Sequence, residues 1–160
     1  ELQGLPEFRT LGGRTAFIEG WGLYAEEIPK ELELYTDPYK EFGQLGMEIF
    51  RAARLVVDTG IHTKKWTREE AVQYYLTNIP NPEGDVRAEI DRYIVWPGQA
   101  TAYMIGKLKI IELRRKAEGE LGEAFDVREF HDAVLTNGSV PLDILEANID
   151  TYISKQKAKK

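Results

Sequence analysis

Thr15-Ala16-Phe17-Ile18-Glu19-Gly20-Trp21-Gly22-Leu23-Tyr24-Ala25-Glu26-Glu27-Ile28-Pro29 is the stretch on which the reading of the chain turns. On a helix, Phe17, Trp21, Tyr24 and Ile28 share one face, while Ala16 and Leu23 lie towards the opposite side, near Glu19. A helix that is apolar on both sides is a buried helix, and the spacing predicts one over 15–28 that Pro29 ends. Glu19 goes inside with it. An ionised carboxylate is costly to bury alone, which leaves three partners open: an arginine such as Arg14, a proton held by a raised pKa, or a metal ion. Spacing alone favours the arginine, because buried glutamates are more often ion-paired than metal-bound. Gly20 and Gly22 each weaken a helix by about 1 kcal/mol relative to alanine, a cost that makes sense where another backbone or a ligand approaches closely.

Outward from this segment the chain is punctuated as helices joined by short turns. Pro6 to Gly13 forms an irregular lead-in. Asp37-Pro38 supplies an N-cap and a first-turn proline for a helix running to Gly60. Thr67 and Glu70 make a capping box for a helix through Asn78, and Asn81-Pro82-Glu83-Gly84 breaks the chain again. Asp85 caps a shorter helix carrying Ala88, Ile90, Tyr93 and Ile94, and Pro97-Gly98 separates it from a long helix over 99–120. Asp126 and Glu129 repeat the capping-box pattern before Phe130. Gly138 and Pro141 mark the stop and restart of a last helix from Leu142 to Ser154. Strand alternation is nowhere sustained. The expected class is all-α, a helical bundle in one domain over residues 1–160, its neighbours mainly antiparallel because the loops are short.

Composition narrows the functions. With 160 residues, 42% hydrophobic and 30% charged, the chain is long enough to bury a core. Its formal charge of -6 disfavours a nucleic-acid surface, which needs clustered Lys and Arg. The one basic cluster, Lys155, Lys157, Lys159 and Lys160, reads as a solvated, frayed terminus. No apolar run is long enough to span a bilayer. The absence of cysteine removes disulfides, thiolate metal sites and a thiol nucleophile, and leaves the cellular compartment open. The start, Glu1-Leu2-Gln3-Gly4, is expected to be a processed or engineered boundary within something longer.

A second polar stretch runs from Arg92 to Tyr103. Gln99, Tyr103, Gly106, Lys107, Ile110 and Arg114 fall on one side of the following helix, a mixed stripe unusual for pure core. A tyrosine hydroxyl and a glutamine amide facing one space can donate to a developing negative charge; the plainer alternative is that Tyr93 and Tyr103 are core aromatics with satisfied hydroxyls. His62 follows Asp58-Thr59-Gly60 in a turn where a side chain can project into a cleft, and His131 sits between Phe130 and Asp132. Neither belongs to a His-Glu-x-x-His pattern, and a catalytic zinc usually takes three protein ligands. Serine-nucleophile elbows and phosphate-binding glycine loops are missing.

The blocks Phe17 to Glu26, Arg51 to His62, Trp66 to Ala71, Arg92-Tyr93, Pro97-Gly98-Gln99-Ala100, Tyr103 with Gly106, Phe130-His131-Asp132 and Val140-Pro141-Leu142 together resemble, in order, those of the DUF885 family. That family looks like gluzincin-type metallopeptidases, related in architecture to helical carboxypeptidases of the Taq type and to the angiotensin-converting-enzyme group. Its pattern places a His-Glu-x-x-Pro-Gly-His-His segment upstream of the region matching Leu2 to Pro6. The resemblance implies that Glu19 is a downstream zinc ligand, reversing the preference that spacing gave it, and that the zinc of the full-length protein is held chiefly by side chains outside these residues. It also implies that Tyr103 stabilises an oxyanion, with Tyr93 as a second catalytic group and His62, Arg92 and Gln99 orienting a peptide substrate. Alone, this piece is expected to bind no zinc and to be inactive. Its expected partners are the missing N-terminal part or, through apolar surface so uncovered, a second copy of itself. The competing class is a non-catalytic helical interaction module.

Overall fold

A computed structural model describes residues 4–159; Glu1, Leu2, Gln3 and Lys160, and the boundary and lysine-cluster readings that touch them, lie outside the described residues. The class is all-α, with no strand among the described residues. In chain order the helices are α1 (Glu7–Leu11), α2 (Thr15–Ala25), α3 (Ile28–Glu31), α4 (Pro38–Lys64), α5 (Arg68–Asn78), α6 (Glu83–Val95), α7 (Ala102–Leu121), α8 (Val127–Leu135) and α9 (Leu142–Lys157). None is long and apolar enough to cross a membrane. Backbone packing gathers them into two compact units: one of residues up to Tyr24 together with Ile105 onward, the other spanning Ala25–Met104.

Helix ends follow local chemistry. Asp37 caps α4 by accepting the Tyr39 amide at 2.8 Å, and the Thr67–Glu70 capping box closes in both directions. Asp126 caps α8 through the Arg128 amide at 2.8 Å, but Glu129 turns to Gln156 on α9 instead of completing a box. Several expected boundaries shift, and the lead-in expected to be irregular over Pro6 to Gly13 holds the short helix α1. Pro29 does not end a long first helix: α2 stops at Ala25, and Pro29 sits in the opening turn of α3, where its missing N–H is not needed. Gly60 does not end α4, which runs on to Lys64 before Lys65 turns left-handed at φ 60°. Gly60 is there because Trp66 lies against it; a Cβ at that position would stand 2.5 Å from the indole Cε3. Pro82 occupies the N-cap of α6, leaving Asp85 in its first turn.

The 25–104 unit packs α4, α5 and α6 against one another. Its core comprises Ala53 and Val57 from α4, Ala71, Val72 and Tyr75 from α5, Val86, Ile90 and Tyr93 from α6, and Ile79 and Ala100 beside them. The first half of α4 carries exposed apolar groups: Tyr39, Phe42, Leu45, Met47 and Ile49.

In the other unit α2 buries Phe17, Leu23 and Tyr24, while Ile18 is 51% exposed. Helix α2 meets α7 backbone to backbone. A Cβ on Gly20 would collide with the Gly106 main chain, and one on Gly106 would run into the Ala16 carbonyl oxygen. Gly22 faces open space. Of the two glycines that weaken this helix, one is therefore explained by a close backbone and the other is not. Helices α8 and α9 pack together, and Lys109–Glu146, Lys116–Asp150 and Lys157–Glu120 ion pairs at 2.9, 2.5 and 2.8 Å run along the flank of α7 and α9. Helix α9 runs on through Lys157, past the expected end at Ser154.

Gly106→Ala is expected to destabilise the protein by about 3 kcal/mol, because two helices must separate to admit one methyl group. Gly22→Ala, on the same helix pair but in open space, should raise stability by about 0.5–1 kcal/mol. Urea unfolding followed by helical circular dichroism distinguishes the two.

Candidate functional site

Arg54 belongs to the inward face of α4, between Ala53 and Val57, and is only 6% exposed. A guanidinium there must find acceptors. Its Nε donates to the Tyr93 hydroxyl oxygen at 3.0 Å and its Nη2 to Glu89 Oε2 at 3.1 Å. The same cation lies over two aromatic rings, 4.7 Å from the Phe50 centroid and 4.6 Å from that of Tyr103. Glu89 Oε2 also accepts from the Tyr93 hydroxyl at 2.7 Å and from Arg92 Nη2 at 2.9 Å. Three donors therefore converge on one carboxylate oxygen. Tyr75 closes the group, its hydroxyl 3.1 Å from that of Tyr93 and 3.2 Å from the Phe50 carbonyl.

The electrostatics follow from this crowding. Partial burial works against ionised Glu89, but hydrogen bonds from Arg92 and Tyr93 and the charges of Arg54 and Arg92 outweigh it, so its pKa falls below the usual carboxylate value. Arg92 is held more firmly protonated, its partial burial overcome by the bond to Glu89. Burial pushes the Tyr75 hydroxyl up to about 12, and burial, with the neighbouring Tyr75 and Glu89, raises that of Tyr93 further still. Both phenols are neutral donors at physiological pH.

Five residues singled out from sequence lie here. Arg92 Nη1 donates to Gln99 Oε1 at 2.5 Å. That bond orients the glutamine amide, leaving its N–H groups as donors. Tyr103 is half-buried under the Arg54 guanidinium, and its hydroxyl makes no hydrogen bond among the described residues. Tyr93 is fully buried with its proton committed to Glu89. His62, mostly exposed, sets Nε2 at 2.9 Å from the Tyr93 carbonyl oxygen; a carbonyl only accepts, so Nε2 carries the proton.

Three residues escaped the sequence reading, the first being Glu89, one more charge on α6 until its partners are seen. Arg54 lay hidden in the Arg51-Ala52-Ala53-Arg54 run; the signal that finds it is its helical register with Phe50, Val57 and Asp58. Asp58, read only as part of a helix stop, is 4% exposed and takes the Gly98 amide on both carboxylate oxygens at 3.1 Å. It pins the Pro97-Gly98 turn, where Gly98 has φ 79°, and so sets the approach to α7.

Glu19 lies on α2 in the other unit, half-buried, with no hydrogen bond or ion pair among the described residues. Arg14, its expected partner on spacing, is exposed and bonds through its backbone N–H to Ser139 Oγ at 2.7 Å. In the same unit His131 Nε2 is 2.8 Å from the Tyr24 hydroxyl, which also accepts from Arg114 Nη1 at 3.0 Å. Among the described residues no three His, Asp or Glu side chains gather as a metal-binding group. With both histidines engaged elsewhere and Glu19 alone, these residues do not by themselves fit a zinc ion, which needs about three protein ligands.

A family model described as "Bacterial protein of unknown function (DUF885)" matches residues 1–149. The chain belongs to the DUF885 family. A crystal structure described as that of "the putative lipoprotein from Colwellia psychrerythraea" superposes on this DUF885 chain with a TM-score of 0.91 at 48% sequence identity. The match covers 92% of this chain and 26% of that one, so this chain spans about a quarter of the length of its solved relative. No curated protein matches it.

Because the folded pKa of Glu89 is depressed, its ionisation stabilises the fold above the ordinary carboxylate pKa, and that contribution is lost as pH falls through the folded value. Glu89→Gln should cost about 2 kcal/mol at neutral pH and flatten the decline in stability below about pH 4.5. Urea titrations at neutral and acidic pH measure both.

Proposed function

We propose that this chain forms the late helical part of a metallopeptidase-type hydrolase, and that its residues act on a peptide bond in the full-length protein. The observation that carries the reading is Glu19: a carboxylate half-buried on an otherwise apolar helix, with no arginine or hydrogen-bond donor satisfying it among the described residues. A carboxylate drawn partly out of water with no donor of its own gains from a cation that joins it. In the proposed enzyme Glu19 is one ligand of a zinc ion whose histidine ligands, and whose general-base glutamate, come from sequence beyond these residues. The ion would supply polarisation of the scissile carbonyl.

Within this chain, Tyr103 is the oxyanion donor, because its hydroxyl proton is uncommitted while its ring lies against the Arg54 guanidinium. Arg92, Gln99 and His62 orient the substrate. Tyr93, with its proton on Glu89, contributes by holding Arg54 and Glu89 in place rather than by touching the reacting atoms.

A second reading, a non-catalytic helical interaction module, draws support from the exposed apolar groups on α4, of which Tyr39 and Phe42 are 85% and 68% exposed. Such a surface suits contact with further sequence of the same polypeptide or with a second copy.

Zinc content and peptidase turnover of the full-length protein separate these readings. Glu19→Gln should lose both metal and turnover. Tyr103→Phe should keep the metal and lose about a hundredfold or more in kcat, the usual effect of removing one oxyanion donor. Equal zinc and equal turnover in the wild type and Glu19→Gln would defeat the ligand assignment, and a full-length protein without zinc or activity would leave the interaction module.

A further inference from the structure

Resting on the reading of this cluster as a substrate-binding surface, we propose that Arg54, Arg92, Gln99 and Tyr103 take a carboxylate group of the ligand. The unit is over-supplied with donors. Arg54 Nη1 is buried and meets no acceptor, although the rest of the guanidinium is bonded to Tyr93 and Glu89. Buried arginine N–H groups without an acceptor are rare, because each loses its water and gains nothing in return.

The neighbouring groups point the same way. Gln99 has its carbonyl oxygen taken by Arg92, so only its N–H groups are on offer. Tyr103 has a hydroxyl without a partner among the described residues. The nearby acceptors are engaged elsewhere: Glu89 Oε2 takes three donors, and both oxygens of Asp58 face the Gly98 amide. What is missing is an acceptor that can satisfy several N–H groups at once. A planar carboxylate matches the guanidinium fork and gains charge-assisted bonds at a partly buried site. The Tyr103 ring covering Arg54 is itself half exposed, so a side-chain rotation is enough to bring a ligand oxygen to Nη1.

The carboxylate could be a peptide C-terminus or an acidic side chain, and three probes distinguish them by calorimetry on the full-length protein: N-acetyl-dialanine, its C-terminal amide, and N-acetyl-glutamate amide. Binding of the first but not the second assigns the C-terminus; binding of the third assigns the side chain. In either case Arg92→Gln, at a partly exposed position where folding should survive, is expected to weaken binding roughly tenfold, and Arg54→Lys to weaken it while keeping the charge. Comparable binding of free acid and amide, binding indifferent to both arginine variants, or binding of none of the three overturns the proposal. Turnover plays no part in these arms, so carboxylate binding without hydrolysis would sink the peptidase reading and leave this one standing.

Discussion

A guanidinium placed in an apolar core sets the terms for the 25–104 unit. Water solvates an arginine well, and removing it demands compensation from every direction. Arg54 receives it from a carboxylate on α6, a tyrosine hydroxyl on the same helix and the faces of two aromatic rings. Those partners span α4, α6 and the first turn of α7, so meeting the needs of one side chain fixes the registers of three elements. Residues that look scattered in sequence, Glu89, Arg92, Tyr93, Gln99 and Tyr103, are neighbours because they share that requirement. Asp58 does similar work one turn further along α4 by fixing the Gly98 amide.

The other unit is organised by contact rather than by charge. Gly20 and Gly106 let two helical backbones touch, which no pair of side-chain-bearing residues could allow. Close approach of this kind fixes how α2 is turned about its axis. It buries Tyr24, whose hydroxyl meets His131 and Arg114, while Trp21 meets the His131 ring edge to face with centroids 5.3 Å apart. Glu19 is left on the same helix without such a partner.

Much of the fold was legible in the sequence because caps are local. Asp37, Thr67 and Asp126 bond amides only two or three residues ahead, so their neighbours suffice to identify them. Gly60 and Pro29 misled for the opposite reason: each has two physical uses, and the deciding neighbour was distant. Gly60 could end a helix or admit a ring, and Trp66 settled it by lying against the backbone. Pro29 could end one helix or open the next. The all-α class needed no such information, since periodicity and the lack of alternation carry it.

The polar cluster was half legible. Gln99 and Tyr103 stand out because they share one mixed polar stripe, and Tyr93, Arg92 and His62 through the family resemblance. Arg54 and Asp58 did not, since a charged residue on an amphipathic helix ordinarily points to solvent, and only the packing of α5 and α6 against that face reveals otherwise. Their partners lie 35 and 40 positions away in the chain, far beyond any local pattern.

The account stands most directly on whether Arg54 and Glu89 stabilise the fold as a pair. A double-mutant cycle with Arg54→Met and Glu89→Met, read by urea unfolding, should show the double change costing less than the sum of the two single changes, by a coupling of about 2 kcal/mol or more. Costs that simply add, to within about 0.5 kcal/mol, would mean that the guanidinium does not organise this unit.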